Sequence, residues 1–250
     1  LGLTDIRFTD AIVDEATKNN LFQWINLGFS ANMKYIPNNI DKRNNPQLIL
    51  ENVQSIIVCS LFYFPGNPPE ANNKNNGKIS RYAQGIDYHY ILLEKIQNLE
   101  KFIKEILPQA QTKSYTDTGH ILEKYFAQKS GIGWQGKNSL IISPKYGSYF
   151  FIGVILTDHK FDYDKPIQDY CGTCRRCLNA CPTNALVQPK VLDSRACIAY
   201  WTVEAKPEEE IPKIVKKGNN DWIFGCDICQ EVCPYNRKLL DITQIGEFIN

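Results

Sequence analysis

Most of the cysteines in this chain, the residues best suited to chemistry, fall into two runs. The segment CGTCRRCLNACPTNAL, residues 171–186, has four cysteines and a proline with the spacing C-x2-C-x2-C-x3-C-P. Thiolates at this spacing hold [4Fe–4S] clusters, because soft sulfur matches iron and delocalises its charge. The segment CDICQEVCPYN, residues 226–236, repeats only the last three cysteines and the proline. Two clusters need eight thiolates, and the two runs supply seven.

The order of the cysteines predicts which cluster each one binds. In two-cluster proteins of this kind, the fourth cysteine of each run ligates the cluster of the other run. We therefore predict that the first cluster is held by Cys171, Cys174, Cys177 and Cys233. The second is predicted to be held by Cys181, Cys226, Cys229 and one further cysteine.

Cys59 and Cys197 are the two cysteines outside the runs. Cys59 lies in SIIVCSLFYF, residues 55–64, an apolar and β-branched stretch that predicts a buried strand and a plain core residue. Cys197 lies between the runs, and we predict it to be the eighth ligand. The insertion that follows it, residues 198–225, should then have local structure of its own. A zinc site made of C-x2-C pairs is the alternative, but the C-P that closes each run is not typical of zinc.

The elements that position these cysteines are predicted from hydrophobic periodicity. Eight of the nine cysteines lie between residues 171 and 233, so we divide the chain into a mixed α/β domain, residues 1–165, and a cluster domain, residues 166–250. The pattern predicts helices at 14–29, 88–107 and 120–129 and strands at 55–64, 139–143 and 148–157, with a turn at Pro144–Gly147 between the last two. The polar segment 64–80 predicts a long loop, a candidate lid.

Two near-motifs point to ligands that their context does not favour. GIGWQGKN, residues 131–138, matches both G-x-G-x-x-G and G-x-x-x-x-G-K, but a nucleotide site needs a strand before it and a helix after it. Here the predicted order is reversed, which favours a tight helix-to-strand turn or a loop pressed against another large ligand. DYH, residues 87–89, lacks the glycine of the D-x-H-x-x-G cobalt motif, so His89 is not predicted to bind a metal.

Composition narrows the classes of function. A net charge of +1 gives no global field for nucleic acid or membrane. No apolar run approaches the roughly 18–20 residues that span a bilayer, and neither a signal peptide nor a twin-arginine segment is visible. Closely spaced cysteines then indicate metal ligands in a reducing compartment, and we predict a cytoplasmic protein without a membrane partner.

Six stretches of this sequence, taken in order, resemble one family. They are ISRYAQGIDYH (79–89), TDTGHILEKYFAQKSGIGWQGKNSLII (116–142), GSYFFIGVILTD (147–158), CGTCRRCLNACPTNAL, LDSRACIAYWTVE (192–204) and FGCDICQEVCPYN (224–236). These blocks look like those of epoxyqueuosine reductase, including the detached cysteine. MKYIPNNIDKRNNPQLIL (33–50) fits the first block of the family more loosely.

The resemblance implies an α+β fold in which a cobalamin-binding domain akin to the nitroreductase fold precedes a bacterial-ferredoxin-like domain with two [4Fe–4S] clusters. It implies an oxidoreductase that reduces the epoxide of epoxyqueuosine to queuosine at the tRNA wobble position. Cobalamin would be bound without a histidine on cobalt. The electrons would come from an external low-potential donor. Two clusters in series agree with this, because they suit one-electron transfer to a low-potential centre.

The resemblance also implies roles for single residues. Asp117, in TDTG, matches the proton donor of the family, although an aspartate before a helix is also a common cap. Lys124 stands where the family usually has arginine and is a candidate contact to substrate or tRNA. The KIVKK segment, residues 213–217, is a further candidate for the tRNA backbone. The blocks that line cobalamin in the family contain Arg43, Ser80, Asp117, Lys137, Asn138, Ser139 and Ile141.

Two rival functions remain open at this point. A reductive dehalogenase shares cobalamin and two clusters, but members usually carry a twin-arginine leader and lack the TDTG and CIAYWTVE blocks. An electron-transfer iron–sulfur subunit would need no chemistry of its own, yet residues 1–165 are more than a carrier requires.

Overall fold

The computed structural model describes residues 1–66, 77–239 and 241–249, and its largest sheet lies in the first 165 residues. The strands are β1 (Asp5–Asp10), β2 (Ser55–Phe62), β3 (Lys78–Ile79), β4 (Thr112–Tyr115), β5 (Trp134–Gln135), β6 (Ile141–Ile142), β7 (Phe150–Thr157), β8 (Leu186–Gln188), β9 (Val191–Leu192) and β10 (Trp222–Phe224). The sheet has the order β1, β2, β7, β4, and every neighbouring pair is antiparallel.

Helices cover both faces of this sheet and also build the cysteine-rich part. They are α1 (Glu15–Asn26), α2 (Ile40–Asn44), α3 (Tyr88–Ile106), α4 (Glu123–Lys129), α5 (Arg176–Ala180), α6 (Lys213–Gly218), α7 (Ile228–Glu231) and α8 (Pro234–Arg237). The predicted helices at 14–29 and 88–107 are confirmed with slightly shorter bounds. Among the described residues, no helix has the length and apolar character needed to cross a membrane.

Strand β2 explains how the core is divided. All eight of its residues are buried, and successive side chains point to opposite faces of the sheet. Ile56 and Val58 pack with α4, whereas Ile57, Cys59 and Leu61 pack with α3. Burying each large aliphatic side chain stabilises the fold by about 1.5–3 kcal/mol. The buried strand predicted at 55–64 is therefore confirmed, and Cys59 is a core residue with no exposed surface.

Two predicted elements differ from the structure. The helix predicted at 120–129 begins at Glu123, and its N-cap position is Leu122, so Asp117 does not cap it. The strand predicted at 139–143 is only the two residues of β6, which pair with β5 in a separate hairpin. The glycine segment 131–138 is therefore part of a hairpin and not a simple helix-to-strand turn. A Cβ atom on Gly133 would lie 2.4 Å from the carbonyl oxygen of Ile142, so the hairpin closes only with glycine there.

The cysteine-rich part folds around small local elements. The predicted local structure of the insertion 198–225 is confirmed, because it contains a π-helical turn at Tyr200–Glu204 followed by α6 and β10. Ile198, Val215 and Trp222 form a small core of their own beneath this insertion. That core anchors the chain between Cys197 and Cys226.

Contacts cross the predicted domain boundary at residue 165 in several places. Strand β10 pairs in parallel with β3. The indole N–H of Trp24 donates to the carbonyl of Leu192 at 2.6 Å, and the amide of Thr243 donates to the carbonyl of Phe64 at 2.8 Å. The division at residue 165 stays a prediction. Most of the candidate lid, residues 67–76 of the segment 64–80, lies outside the described residues.

Candidate active site

The first predicted cluster set surrounds a cavity. The thiols of Cys171, Cys174, Cys177 and Cys233 all line a space of about 270 Å³. Cys233 comes from the second run, so the chain crosses over as the spacing predicts. In residues 1–66, 77–239 and 241–249, no group of three or more His, Cys, Asp or Glu side chains is arranged to hold a single metal ion. The four thiols instead line a space in which a multi-atom cluster fits.

The second predicted set includes Cys197, and its thiols influence one another's pKa values. Burial raises the pKa of the Cys226 thiol to about 12, and the neighbouring thiols of Cys197 and Cys181 raise it further. The pKa of Cys229 is raised well above its ordinary value by burial first and then by the same neighbours. Cys59 lies apart in the sheet, and its pKa of about 12 is due to burial and the charge of Asp5. The grouping agrees with the predicted ligand set, which remains a prediction.

Asp117 lies in an exposed turn before α4. Its side chain is 67% exposed, and its φ of +59° is in the left-handed region that few non-glycine residues adopt. The hydroxyl of Tyr88 donates to Asp117 Oδ2 at 3.0 Å, and His89 Nε2 lies 3.7 Å from the same oxygen. The ring of Tyr88 is stacked on Phe151 at 4.0 Å, which fixes the direction of its hydroxyl. The carboxylate is thus held in place at the surface by its hydrogen bond to Tyr88.

Glu123 is a residue of this site that sequence reasoning missed. Its Oε1 accepts the backbone N–H of Asp117 at 2.7 Å, which stabilises the strained turn. Burial and, second to it, the charge of Asp117 together raise the pKa of Glu123 to about 8. A pKa of about 8 keeps the Glu123 carboxyl protonated near pH 7. Nothing in the local pattern of LEKYF predicts this, because it depends on burial beside Asp117.

Lys124 and two tyrosines extend the site toward the second cysteine set. The charge of Lys124 lowers the pKa of Cys197, a small effect beside the burial that raises it, so the ammonium and the thiol share one region. Burial raises the pKa of Tyr35 and of Tyr82 to about 12, and in both cases Asp117 and Glu204 add to the shift. The predicted proton donor and the second cysteine set therefore lie on the same side of the molecule.

Besides Asp117, whose role toward cobalamin stays a prediction, the six other predicted cobalamin contacts fall into two groups. Arg43 Nε and Ser139 Oγ are buried and have no hydrogen-bond partner within the described part of the chain. Buried polar atoms without partners are rare, and each is a position where a bound ligand could supply the missing group. These two atoms, one beside Asp117 and Glu123, fit a large polar cofactor such as cobalamin.

The other predicted contacts are already engaged. The Ser80 hydroxyl donates to Asp227 at 3.1 Å, and Ile141 is packed in the core. The Lys137 ammonium donates to the carbonyls of Gly172 and Cys174, and the Asn138 amide approaches the carbonyl of Cys229 at 3.5 Å. The side chains of Ser80, Lys137 and Asn138 thus point at the cysteine-rich part, and their role toward cobalamin remains a prediction.

An α+β domain joined to two crossed cysteine runs defines the class of two-cluster iron–sulfur proteins. A family model described as "4Fe-4S double cluster binding domain" matches residues 170–236, and one described as "Epoxyqueuosine reductase QueG, DUF1730" matches residues 43–118. The predicted fold class, α+β with a double-cluster domain, is confirmed.

The relatives define the family. The epoxyqueuosine reductase of Synechocystis is 42% identical over 99% of this chain and 83% of its own length. The structure of an epoxyqueuosine reductase with an epoxyqueuosine-modified tRNA-Tyr stem loop is 34% identical, with a TM-score of 0.89 over 99% of this chain and 65% of that one. That of Bacillus subtilis, whose catalytic aspartate loop is swung out of the active site, is 34% identical, with a TM-score of 0.86 over 95% of this chain and 62% of that one. The chain belongs to the epoxyqueuosine reductase family, as the sequence predicted.

The dehalogenase alternative is much more distant. A catabolic reductive dehalogenase is 17% identical with a TM-score of 0.53 over 78% of this chain, which shows a shared fold alone. This chain spans just under two thirds of the solved epoxyqueuosine reductase structures that it matches.

Proposed function

We propose that this protein reduces the epoxide of epoxyqueuosine to queuosine in the anticodon of tRNA. The observation that carries the proposal is the position of Asp117, held at the surface by Tyr88 and Glu123 on the same side as the second cysteine set. An acid beside an electron-transfer site is what reductive opening of an epoxide requires. When bound, two [4Fe–4S] clusters supply single electrons, and cobalamin supplies a low-potential cobalt centre that reacts with carbon.

Asp117 is proposed to protonate the oxygen that leaves carbon when the epoxide opens. Ring opening produces a developing alkoxide, and a positioned acid accelerates such a step by roughly 10²–10⁴-fold. Tyr88 orients the carboxyl group through its hydroxyl, and Glu123 keeps the turn in its strained conformation. Because Asp117 is exposed, it can be protonated again from solvent after each turnover.

Arg43 and Ser139 are proposed to contact cobalamin through their unpaired atoms, with Ser80, Lys137, Asn138 and Ile141 contributing to the wall around it. The cluster ligands are proposed to be the two crossed sets, with Cys197 as the detached ligand. The tRNA is proposed to meet Lys124 and the exposed lysines of α6, Lys213, Lys216 and Lys217, because cations bind the phosphate backbone without base specificity. An external low-potential donor would supply electrons, and the cytoplasm remains the predicted compartment.

The direct test is conversion of the modified nucleoside. The reconstituted protein is incubated without oxygen with epoxyqueuosine-containing tRNA, cobalamin and a strong reductant, and the nucleosides are then digested and separated. We expect queuosine only when protein and cobalamin are both present. Full cluster content with no conversion under these conditions would contradict the proposal and favour an electron carrier.

A further inference from the structure

Residues of the glycine segment 131–138 donate hydrogen bonds to both cysteine runs. The indole N–H of Trp134 donates to the sulfur of Cys171 at 3.4 Å. The Lys137 ammonium donates to the carbonyl of Gly172 at 2.6 Å and to that of Cys174 at 2.9 Å. The Asn138 amide also approaches the carbonyl of Cys229 at 3.5 Å. Three residues of one hairpin therefore contact the loops that carry the predicted ligands.

The direction of the Trp134 N–H is fixed by packing. The side chain is 1% exposed. Tyr170 and Tyr235 meet its ring edge to face, with centroids 5.3 Å and 4.7 Å away. An indole held in this way cannot turn its N–H toward water, so a hydrogen bond to sulfur is the use that its surroundings leave.

The charges around the two cysteine sets differ. The cavity of the first set is lined by Lys137, Arg176 and Lys238, and no carboxylate is among the described residues that line it. The second set has the fully buried carboxylate of Asp227 between Cys226 and Cys229, and Arg81 pairs with it at 3.3 Å. The first set therefore faces three cations and an N–H donor, and the one carboxylate at its edge, Asp169, accepts the backbone N–H of Cys171 and is paired with Lys190. The second set faces the buried Asp227–Arg81 pair and the charge of Lys124.

We propose that Trp134 and Lys137 are positioning residues that raise the reduction potential of the first cluster above that of the second. This inference rests on the two clusters proposed above. Reduction adds one electron to [4Fe–4S]²⁺ to give [4Fe–4S]⁺, with no bond made or broken, and the added negative charge is stabilised by hydrogen bonds to sulfur and by nearby cations. An external donor then reduces the first cluster first.

The test is an anaerobic redox titration with Ti(III) citrate, followed by electron paramagnetic resonance. Trp134→Phe removes the N–H, Lys137→Gln removes the charge, and Trp24→Phe is the matched control, because its indole donates to a carbonyl instead of sulfur. The signal that persists in a Cys197→Ala protein identifies the first cluster. In each of the two test variants, we expect the reduction equilibrium of the first cluster to shift by about threefold to tenfold toward the oxidised form. Tenfold corresponds to 59 mV for a one-electron couple. The second cluster and the control should not shift.

Iron content separates the possible failures. Fewer than about eight iron atoms in the unsubstituted protein would count against the two proposed clusters themselves. Full iron content with unchanged potentials in both variants would overturn the role of Trp134 and Lys137. If Trp134→Phe loses iron, a second measurement tests the hydrogen bond: pulsed electron paramagnetic resonance of the unsubstituted protein labelled with ¹⁵N-indole. Coupling of that nitrogen to the reduced first cluster would support the bond. Absence of the coupling would overturn it.

Discussion

The two cysteine sets have nearly the same spacing in sequence but opposite surroundings in the fold. The first set lies around an open cavity edged by cations and by the Trp134 indole. The second lies beside the buried Asp227 and shares its side of the molecule with Lys124 and Asp117. The spacing therefore predicts which thiols bind iron, whereas the surrounding fold determines which charges and hydrogen-bond donors lie beside each predicted set. We call the first set the outer set and the second set, on the side of Asp117, the inner set.

The largest effect should come from removing the detached ligand of the inner set. Cys197→Ala is expected to lose about one cluster, or half of the iron, because three thiolates are left for four iron atoms. Cys59→Ala is the matched control, since Cys59 is buried in β2 away from both sets. Iron and sulfide analysis after reconstitution is the measurement. Full iron in the first variant and loss in the second would reverse the assignment.

Asp117→Asn should separate chemistry from cofactor binding. The amide keeps the size of the side chain but cannot act as an acid, so turnover is expected to fall by roughly 10²–10⁴-fold. Both clusters and cobalamin should remain bound, because the structure places Asp117 in an exposed turn and not among the cysteines. Single-turnover conversion of epoxyqueuosine tRNA measures the rate. A near-normal rate would transfer the acid role to another group, such as Tyr82, whose pKa is raised by burial and then by charges that include Asp117.

How much the sequence predicts depends on how local the cause is. The apolar strand β2 is specified by a local pattern, so it was predicted correctly. The ligand sets, including Cys197, follow from an equally local spacing and stay predictions. Strands β1 and β4 were missed, because they are the sheet edges and carry mixed polar residues such as DIRFTD and TKSY. Edge strands bury less surface, and their pattern is weaker.

The site shows the same limit. Asp117 was named through a motif, but its strained φ and its partner Glu123 depend on a turn that forms only when α4 begins at residue 123. Lys137 and Asn138 were predicted as cobalamin contacts from their block. The hairpin formed by β5 and β6, two strands of two residues each, instead directs these side chains at the cysteine loops. No periodicity in GIGWQGKN signals that hairpin.

The buried ion pair of Arg81 and Asp227 lies beside the inner set and offers a further test of how the surroundings of the two sets differ. Arg81→Met keeps the stem of the side chain but leaves the Asp227 carboxylate without its cation, and both side chains are nearly inaccessible. Breaking such a pair costs about 3 kcal/mol of unfolding free energy. Arg195→Met is the control, since the Arg195 side chain is about half exposed and its pair with Asp193 is open to solvent on that side, so that the pair is worth about 0–1 kcal/mol. Anaerobic urea unfolding compares the two. Equal losses of unfolding free energy in both variants would mean that removing Arg81 does not leave Asp227 as an uncompensated buried charge.

The smallest expected effect is a change in pH dependence at Glu123. The pKa of this group is about 8 in the folded protein, against roughly 4.3 for an unperturbed glutamate. Between these values the folded state binds more protons than the unfolded state, so stability falls as pH rises through this window and is fully present below it. Glu123→Gln stays neutral throughout and should show a flatter curve.

The expected difference in unfolding free energy between pH 5 and pH 8 is on the order of 2 kcal/mol, reduced by partial solvent screening. The thermal midpoint at several pH values measures it, and Glu105→Gln on the exposed surface of α3 is the control. Parallel curves for Glu123→Gln and the unsubstituted protein would show that Glu123 does not hold its proton in the folded state. A flatter curve would show that Glu123, on the side of the inner set, is a carboxyl group that responds to pH near neutrality.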